Sequence, residues 1–570
     1  MAQSGDTTPQ SSRVAIILED QSSRLPFKKL LLVISSLCAC AFVSFLDQTS
    51  VSTVLPAIAH DLGAADRINW VGISFLVATT SSQIVIARLS DIFGRKALLI
   101  SVIILFTIGN LLCGFAKTAV WLFVARAVAG LGGGGINSMA MIIMSDVVSL
   151  QERGKYQGFI GAAVALGSGI GPLVGGALSS AGWRWVFWFT VPITSVCIAQ
   201  LWWMLPQNKM SANFGEKLRM IDFTGSVVSL AAVVLILVPL SGGGTYYSWN
   251  SALVISMISV GSVLAILFIL VEWRLASLPI LPLYLFRNRN ILIIYGTTFL
   301  TGIVYYCNLY FLPAYYTDAR GFTPVQAGIY LLPLVLIQSL SSSISGQFLS
   351  KTRYPKPYIA VGFSIWCIGA GLQSMFGLNT SKGAMAGYLI IEGMGIGLTL
   401  QSTLVAAQAS ALPKERAVIT GSRNFFRTLG GAIGLVVCTT TKNEVLKKEL
   451  HKIQDLPSAA VVSIIKFGPQ ALTDPSLESA VRNAYMSSLH AVFILFIPIA
   501  GVSAIMSLCL KSVYLQGDKD VLPVAKTPTP PSSQENLELS NMGETHAVGD
   551  PVVQSTAEVG KRAGSGLKSK

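Results

Sequence analysis

Charge is scarce in this sequence. Only 12% of its 570 residues are Asp, Glu, Lys or Arg, against 52% hydrophobic, and the mean hydropathy is +0.62. Soluble domains carry roughly 25% charged residues. Half that fraction over so long a chain predicts an integral membrane protein. Histidine is scarcer still, at four. With no cluster of metal ligands or nucleophiles, neither an enzyme nor a metal site nor a cofactor is expected. Cys38, Cys40, Cys113, Cys197, Cys307, Cys367, Cys438 and Cys509 all lie in apolar runs, and none forms a C-x-x-C. That disfavours a disulfide framework or a zinc site and fits small apolar packing residues. The G-x-x-x-x-G-K-[ST] pattern is missing, which disfavours an ATP-driven machine. The first 27 residues show no cleavable signal pattern. The net charge of +14 does not point to nucleic acid, because the bases sit in short gaps between apolar runs. Bases in such gaps set membrane orientation.

What is present is a series of apolar runs. A spanning helix needs about 20 mostly apolar residues. The runs predict spans at 30–54, 69–88, 97–115, 119–145, 156–180, 184–206, 221–241, 251–272, 291–313, 324–349, 357–376, 383–411, 418–440 and 488–512. Lys and Arg in alternate connections place both termini inside. One segment departs from this pattern. The stretch 442–487 falls outside yet holds Lys442, Lys447, Lys448 and Lys452, and its "TKNEVLKKELHKI" reads as an amphipathic extension of span thirteen. Residues 1–29 and 513–570 are expected to be disordered cytoplasmic tails; the latter is rich in Pro, Ser, Thr and charge.

An internal repeat is visible. "QERGKYQG" around Arg153 and Gly158 matches "KERAVITG" around Arg416 and Gly421, and "ARLSDIFGRK" from Ala87 has a worn counterpart in "GQFLSKTRYPK" from Gly346. The order and offset predict six-helix bundles at 30–206 and 291–512, joined by two linking helices in 207–290. Such parallel half-repeats are one architecture of secondary transporters.

Four motifs sharpen this. They are "LDQTSVSTVLP" (46–56), "ARLSDIFGRKALL" (87–99), "LFVARAVAGLGGG" (122–134) and "GSGIGPLVGGAL" (167–178). With them in this order, the chain resembles a major facilitator superfamily transporter. More narrowly, it resembles the fourteen-helix drug:proton antiporters of fungal type. The resemblance covers roughly 30–512 and implies an all-α fold of two six-helix bundles plus two central helices.

Two charges fall inside predicted spans, where an unpaired charge costs at least about 2.5–3.5 kcal/mol. Asp47 and Arg126 each lie about seven residues from an outer helix end, or roughly 10 Å deep at 1.5 Å per residue. Equal depth permits pairing, either as a static ion pair or as a proton switch. The resemblance links the fourth-helix Arg to proton transfer and makes Asp47 a signature residue. Glu392, flanked by Gly393, Gly395 and Gly397, is a second buried acid, read as a proton or cation site or as an acid facing water in the cavity. The resemblance also implies a conformational latch at Asp91, Gly94, Arg95 and Lys96, with Asp91 facing the start of span thirteen near Arg423 or Arg427. In the second half Ser350 and Lys351 replace the acid, so a latch on one side only is expected. Gly167, Gly171 and Gly175 recur on one helix face for close packing. Pro172 is expected to kink that helix. With Gly176 these form a motif that the resemblance ties to export. Tyr305, Tyr306, Asn308, Gln338 and Gln401 suit a cavity for amphipathic molecules and equally suit hydrogen bonding between helices. Asn379 heads a glycosylation sequon in a short outside loop.

The expected function is a proton-coupled exporter of small organic compounds such as drugs, toxins or secondary metabolites, working by alternating access. It is expected to act as a monomer in the plasma membrane, with protons, a small organic substrate and the bilayer as partners, and no nucleic acid. A vacuolar carrier of basic amino acids and a transporter-like nutrient sensor are the alternatives.

Overall fold

The computed structural model describes residues 25–515 apart from 65, 66, 207–214, 216–219, 243–246, 277, 455 and 470–474. Most of both expected tails and part of the linking region lie outside the described residues. At the inner edges of those tails the expectation needs correcting. Helix α1 already begins at Phe27, and Leu515 is buried, its N–H donating to Arg353 O at 3.0 Å.

The chain folds as α1 (Phe27–Asp61), α2 (Trp70–Phe93), α3 (Arg95–Gly114), α4 (Ala119–Val147), α5 (Arg153–Ser179), α6 (Trp185–Met204), α7 (Phe223–Gly242), α8 (Ala252–Arg274), α9 (Arg289–Ala319), α10 (Pro324–Thr352), α11 (Pro355–Gln373), α12 (Lys382–Ala409), α13 (Arg416–Leu450) and α14 (Glu478–Leu508). Twelve of these are long and apolar enough to cross a membrane. The other two are α11, which opens on Pro-Lys-Pro, and α13, which carries Arg423, Arg427 and a charged final stretch. The amphipathic extension is present: α13 runs unbroken to Leu450, burying Leu446 and Leu450 and exposing Lys447 and Lys448.

Helix ends follow local chemistry. Thr323 and Gln326 form a reciprocal capping box at the start of α10, with Pro324 in the first turn. Thr118 and Ser381 cap α4 and α12 by accepting from Trp121 N and Ala384 N. Gly94 turns the chain between α2 and α3 at φ 93°, a conformation that a side chain would strain.

Glycines set the helix pairs. A Cβ on Gly167 would strike Phe42 O of α1, and one on Gly430 of α13 would strike Phe299 O of α9. A Cβ on Gly132 would meet Phe106 of α3, and one on Gly395 would meet Trp366 of α11. The repeat read from Arg153 and Arg416 therefore extends to packing. One hydrophobic core is built from residues between Leu285 and Leu510; another is built from Leu30 to Leu205 with Leu404 and Ala417. Between these cores α5 lies on α10 and α2 lies on α13. Gly154 meets Gly346, Gly158 meets Ser342 O, and Gly421 meets the Ala87 methyl.

Helix α7 packs on α2 and α13 through Leu237, Val77 and Ala432, and α8 packs on α7. The stretch after α8 is pinned at several points. Glu272 accepts from Ile280 N and Leu281 N at 3.1 and 3.2 Å, Arg88 Nε donates to Pro279 O at 2.8 Å, and the Tyr284 hydroxyl donates to Glu415 at 2.5 Å. Burial, then the Glu415 contact, holds the Tyr284 phenol above its ordinary pKa.

Candidate functional site

Asp47 of α1 and Arg126 of α4 meet in the interior. Arg126 Nη1 lies 2.8 Å from Asp47 Oδ2, with the side chains 1% and 0% exposed. Arg126 Nε donates to Val71 O at 3.3 Å, and the guanidinium lies over the Phe75 ring at 4.3 Å and near Phe187 at 5.5 Å. Asp47 Oδ1 has no hydrogen-bond partner among the described residues. A carboxylate so held is neutralised by one cation and keeps one oxygen free to take a proton. Breaking such a pair leaves an uncompensated buried charge, at about 3–5 kcal/mol.

The second acid is placed by the equivalent helices of the other half, with the roles exchanged. Glu392 sits on α12, the counterpart of α4, and is fully buried. Its Oε1 accepts from Asn308 Nδ2 of α9 and from Trp366 Nε1 at 3.3 Å; Asn308 Oδ1 in turn accepts from Gln373 Nε2 at 2.8 Å. Glu392 Oε2 is without a partner among the described residues. Asn308 therefore belongs to this polar cluster, the helix-bonding one of the two roles its sequence context allows. Tyr305 and Tyr306 are buried beside each other, with ring centroids 5.5 Å apart. Gln401 packs against Gly161 and Gln338 against Gly393 and Gly397, both at helix contacts.

The latch geometry differs from expectation. Asp91 pairs with Arg95 at 2.7 Å and Arg88 at 3.4 Å, both on its own or the next helix. Arg95 also binds Asp146 at the end of α4 at 2.7 Å, while Lys96 Nζ lies over the Trp202 ring at 5.6 Å. Arg423 instead donates to Leu400 O and Thr403 Oγ1 at 2.5 and 2.7 Å. Neither Arg423 nor Arg427 forms an ion pair among the described residues. The reason is distance along the chain: bases three residues before and four after Asp91 satisfy it locally. Ser350, standing where the first half has its acid, accepts from Lys155 N at the start of α5 at 3.1 Å.

The glycine motif faces α1. A Cβ on Gly171 would fall on Thr49 Oγ1, and one on Gly175 on Ser50 O, whereas Gly176 faces open space. Helix α5 is continuous through Pro172. Asn379 is exposed in the α11–α12 turn, where Thr380 Oγ1 accepts from Gly377 N at 2.8 Å.

Several residues of these networks escaped the sequence reading. Asp146 lies one residue beyond the predicted end of span four, so only its position at a helix terminus marked it. Trp366 and Gln373 carried no signal, because their role depends on how α11 is rotated. Gln157, Gln408 and Thr420 form a buried chain joining α5, α12 and α13 at 3.1 and 3.0 Å.

Buried, partnered charges inside long apolar helices, arranged in two related halves, define a polytopic membrane carrier. The chain belongs to the major facilitator superfamily, whose family model matches residues 37–435. Its family and fold are those of transporters and not of enzymes. It is 38% identical to citrate exporter 1 of Yarrowia lipolytica over 90% of this chain and 76% of that one. It is 32% identical to the efflux pump dotC of Dothistroma septosporum, covering 88% and 87%. It is also 32% identical to the efflux pump MMF1 of Pseudozyma antarctica, covering 85% and 91%. Among solved structures, an inward-facing bacterial homologue of the lysosomal transporter Spinster shares the fold, with TM-score 0.55 and 16% identity over 88% of this chain and all of that one.

Proposed function

We propose that this protein is a proton-coupled exporter of small organic compounds, acting by alternating access between halves at 30–206 and 291–512. The observation that carries the reading is the Asp47–Arg126 pair. A proton added to Asp47 cancels its charge and leaves Arg126 a buried cation with a different set of favourable neighbours. Proton occupancy is thereby tied to how α1 and α4 pack. Because α1 rests on α5 through Gly167, Gly171 and Gly175, a shift in α1 passes directly to the helix that also lines the contact with α10. Glu392 supplies a second proton site in the other half. Asp91, Arg95 and Asp146 hold α2, α3 and α4 together at the end of the bundle where α5 begins and α10 finishes. Export is the direction named for the efflux pumps and the citrate exporter that this chain resembles.

In this reading all the long helices span, giving fourteen crossings, with both termini cytoplasmic and the monomer as the working unit in the plasma membrane. The test is flux through the purified full-length chain in proteoliposomes under an imposed pH gradient. Labelled citrate and compounds drawn from a toxicity screen of a deletion strain would serve as cargo. Export should follow the gradient and collapse when it is dissipated. Flux that ignores the gradient sinks the proposal, and a tagged protein found on an internal membrane sinks the location.

A further inference from the structure

The arginines Arg423 and Arg427 lie one turn apart on a single face of α13, roughly 10 and 16 Å from its start at 1.5 Å per residue. They are 3% and 5% exposed. Two cations so deep and so close repel each other, yet neither has an acidic partner among the described residues. The Nε atoms of both are buried without a hydrogen-bond acceptor. Neighbouring donors are in the same condition: Asn424 Nδ2 on α13, and Nε2 of Gln83 on α2, whose Oε1 accepts from Thr428 at 3.2 Å. Tyr306 of α9 is in electrostatic reach of Arg427 and packs against Gly431.

Arg423 uses one Nη on Leu400 O and Thr403 Oγ1, and the duplicated helix places aliphatic side chains at the equivalent positions. Arg153 and Arg416, Gly158 and Gly421, Gly167 and Gly430, and Gly171 and Gly434 correspond at one constant offset. At that offset the partners of Arg423 and Arg427 are Ile160 and Val164, which are buried at 0% and 4% exposure. Aliphatic side chains suffice at these two positions in one half. In the other half stand two guanidiniums and a surplus of unpaired donors, a combination that is costly unless an anion completes it.

We infer that Arg423 and Arg427, with Asn424 and Gln83, form a binding site for a substrate carrying two or more carboxylates, at the contact between α13 and α2. Guanidinium forks match carboxylates with paired, charge-assisted hydrogen bonds. Spacing of one helical turn suits two acid groups on one small molecule better than one. Because Gln83 and the arginines come from different halves, the bound acid bridges them. The inference rests on the transport reading only for calling this ligand a cargo.

The test is thermal unfolding of the purified full-length chain in detergent, with citrate, tricarballylate, acetate or tetraphenylphosphonium added at constant pH and ionic strength. Citrate and tricarballylate should raise the midpoint saturably, acetate much less, and tetraphenylphosphonium not at all. Arg427→Gln and Arg423→Gln should each weaken citrate binding by about tenfold or more. Arg427→Gln should also leave the ligand-free midpoint equal or higher, since it removes an unpaired buried cation; an arginine with a purely structural role would lower it. Val164→Ile is the packing control and should retain citrate binding. Equal stabilisation by the organic cation, no response to either polyacid, or full citrate binding in both arginine variants would overturn the inference. No pH gradient enters this assay, so its failure is separate from failure of proton-driven flux.

Discussion

Asp47→Asn keeps the shape of the side chain and removes its charge, leaving Arg126 a cation in the interior. Besides the new amide oxygen, which can still accept from Nη1, it keeps the Cys113 side chain, the Val71 carbonyl at 3.3 Å and the Phe75 and Phe187 rings at 4.3 and 5.5 Å. Ring faces contribute about 2 kcal/mol to a desolvated cation. The loss should therefore fall near the lower end of the range for a broken buried pair, about 3 kcal/mol. Arg126→Gln strands the carboxylate and should cost a similar amount. The double variant leaves no charge and two amides able to hydrogen-bond each other, so it should be far less damaged than the sum of the two. A coupling of at least about 2 kcal/mol is expected. The assay is reversible denaturant unfolding of the four proteins in detergent, analysed as a cycle. Losses that add to within about 0.5 kcal/mol, as they do for independent sites, would refute a direct partnership and with it the proton switch. In vesicles, Asp47→Asn should also abolish the response of flux to the pH gradient while leaving downhill exchange of cargo measurable.

Other outcomes follow from the same contacts. Gly171→Val should sharply reduce the yield of monodisperse protein, because the new side chain falls on Thr49 and on Leu46 O, whereas Gly176→Ala, with open space around it, should leave yield unchanged. Glu392→Leu strands the Asn308 and Trp366 donors and should cost about 2–6 kcal/mol by unfolding, at about 1–3 kcal/mol per buried unpaired group; Glu392→Gln keeps an acceptor and should cost much less. Arg95→Ala leaves Asp91 and Asp146 without their shared cation and should destabilise by about 3–5 kcal/mol, and adding Asp146→Ala should restore part of the loss in the same measurement.

Much of this arrangement could be read from residues alone, and the reasons differ from case to case. The depth of Asp47 and Arg126 follows from counting residues to the ends of apolar runs, so their meeting was open to arithmetic. The repeat was legible because Arg153 and Arg416 sit at the same register before glycines that must stay small. Rotation about a helix axis was not legible. That is why the sequence leaves Asn308 between a cavity and a helix contact, and why nothing in it singles out Trp366 and Gln373. Asp91 shows a further limit: several bases were within reach by sequence, and only coordinates reveal that Arg88 and Arg95 take it. Ser350 carries no charge to mark it in the sequence, yet its hydroxyl suffices to accept from one backbone N–H.

The placement of α7 makes the two seams between the halves unequal. Where α2 meets α13, a third helix lies across the join and touches both sides, so parting there must either carry that shutter along or slide beneath it. Where α5 meets α10, glycines of each helix face glycine, serine, valine or leucine of the other, and among the described residues neither α7 nor α8 packs over the join. Parting at the second seam displaces no such third helix.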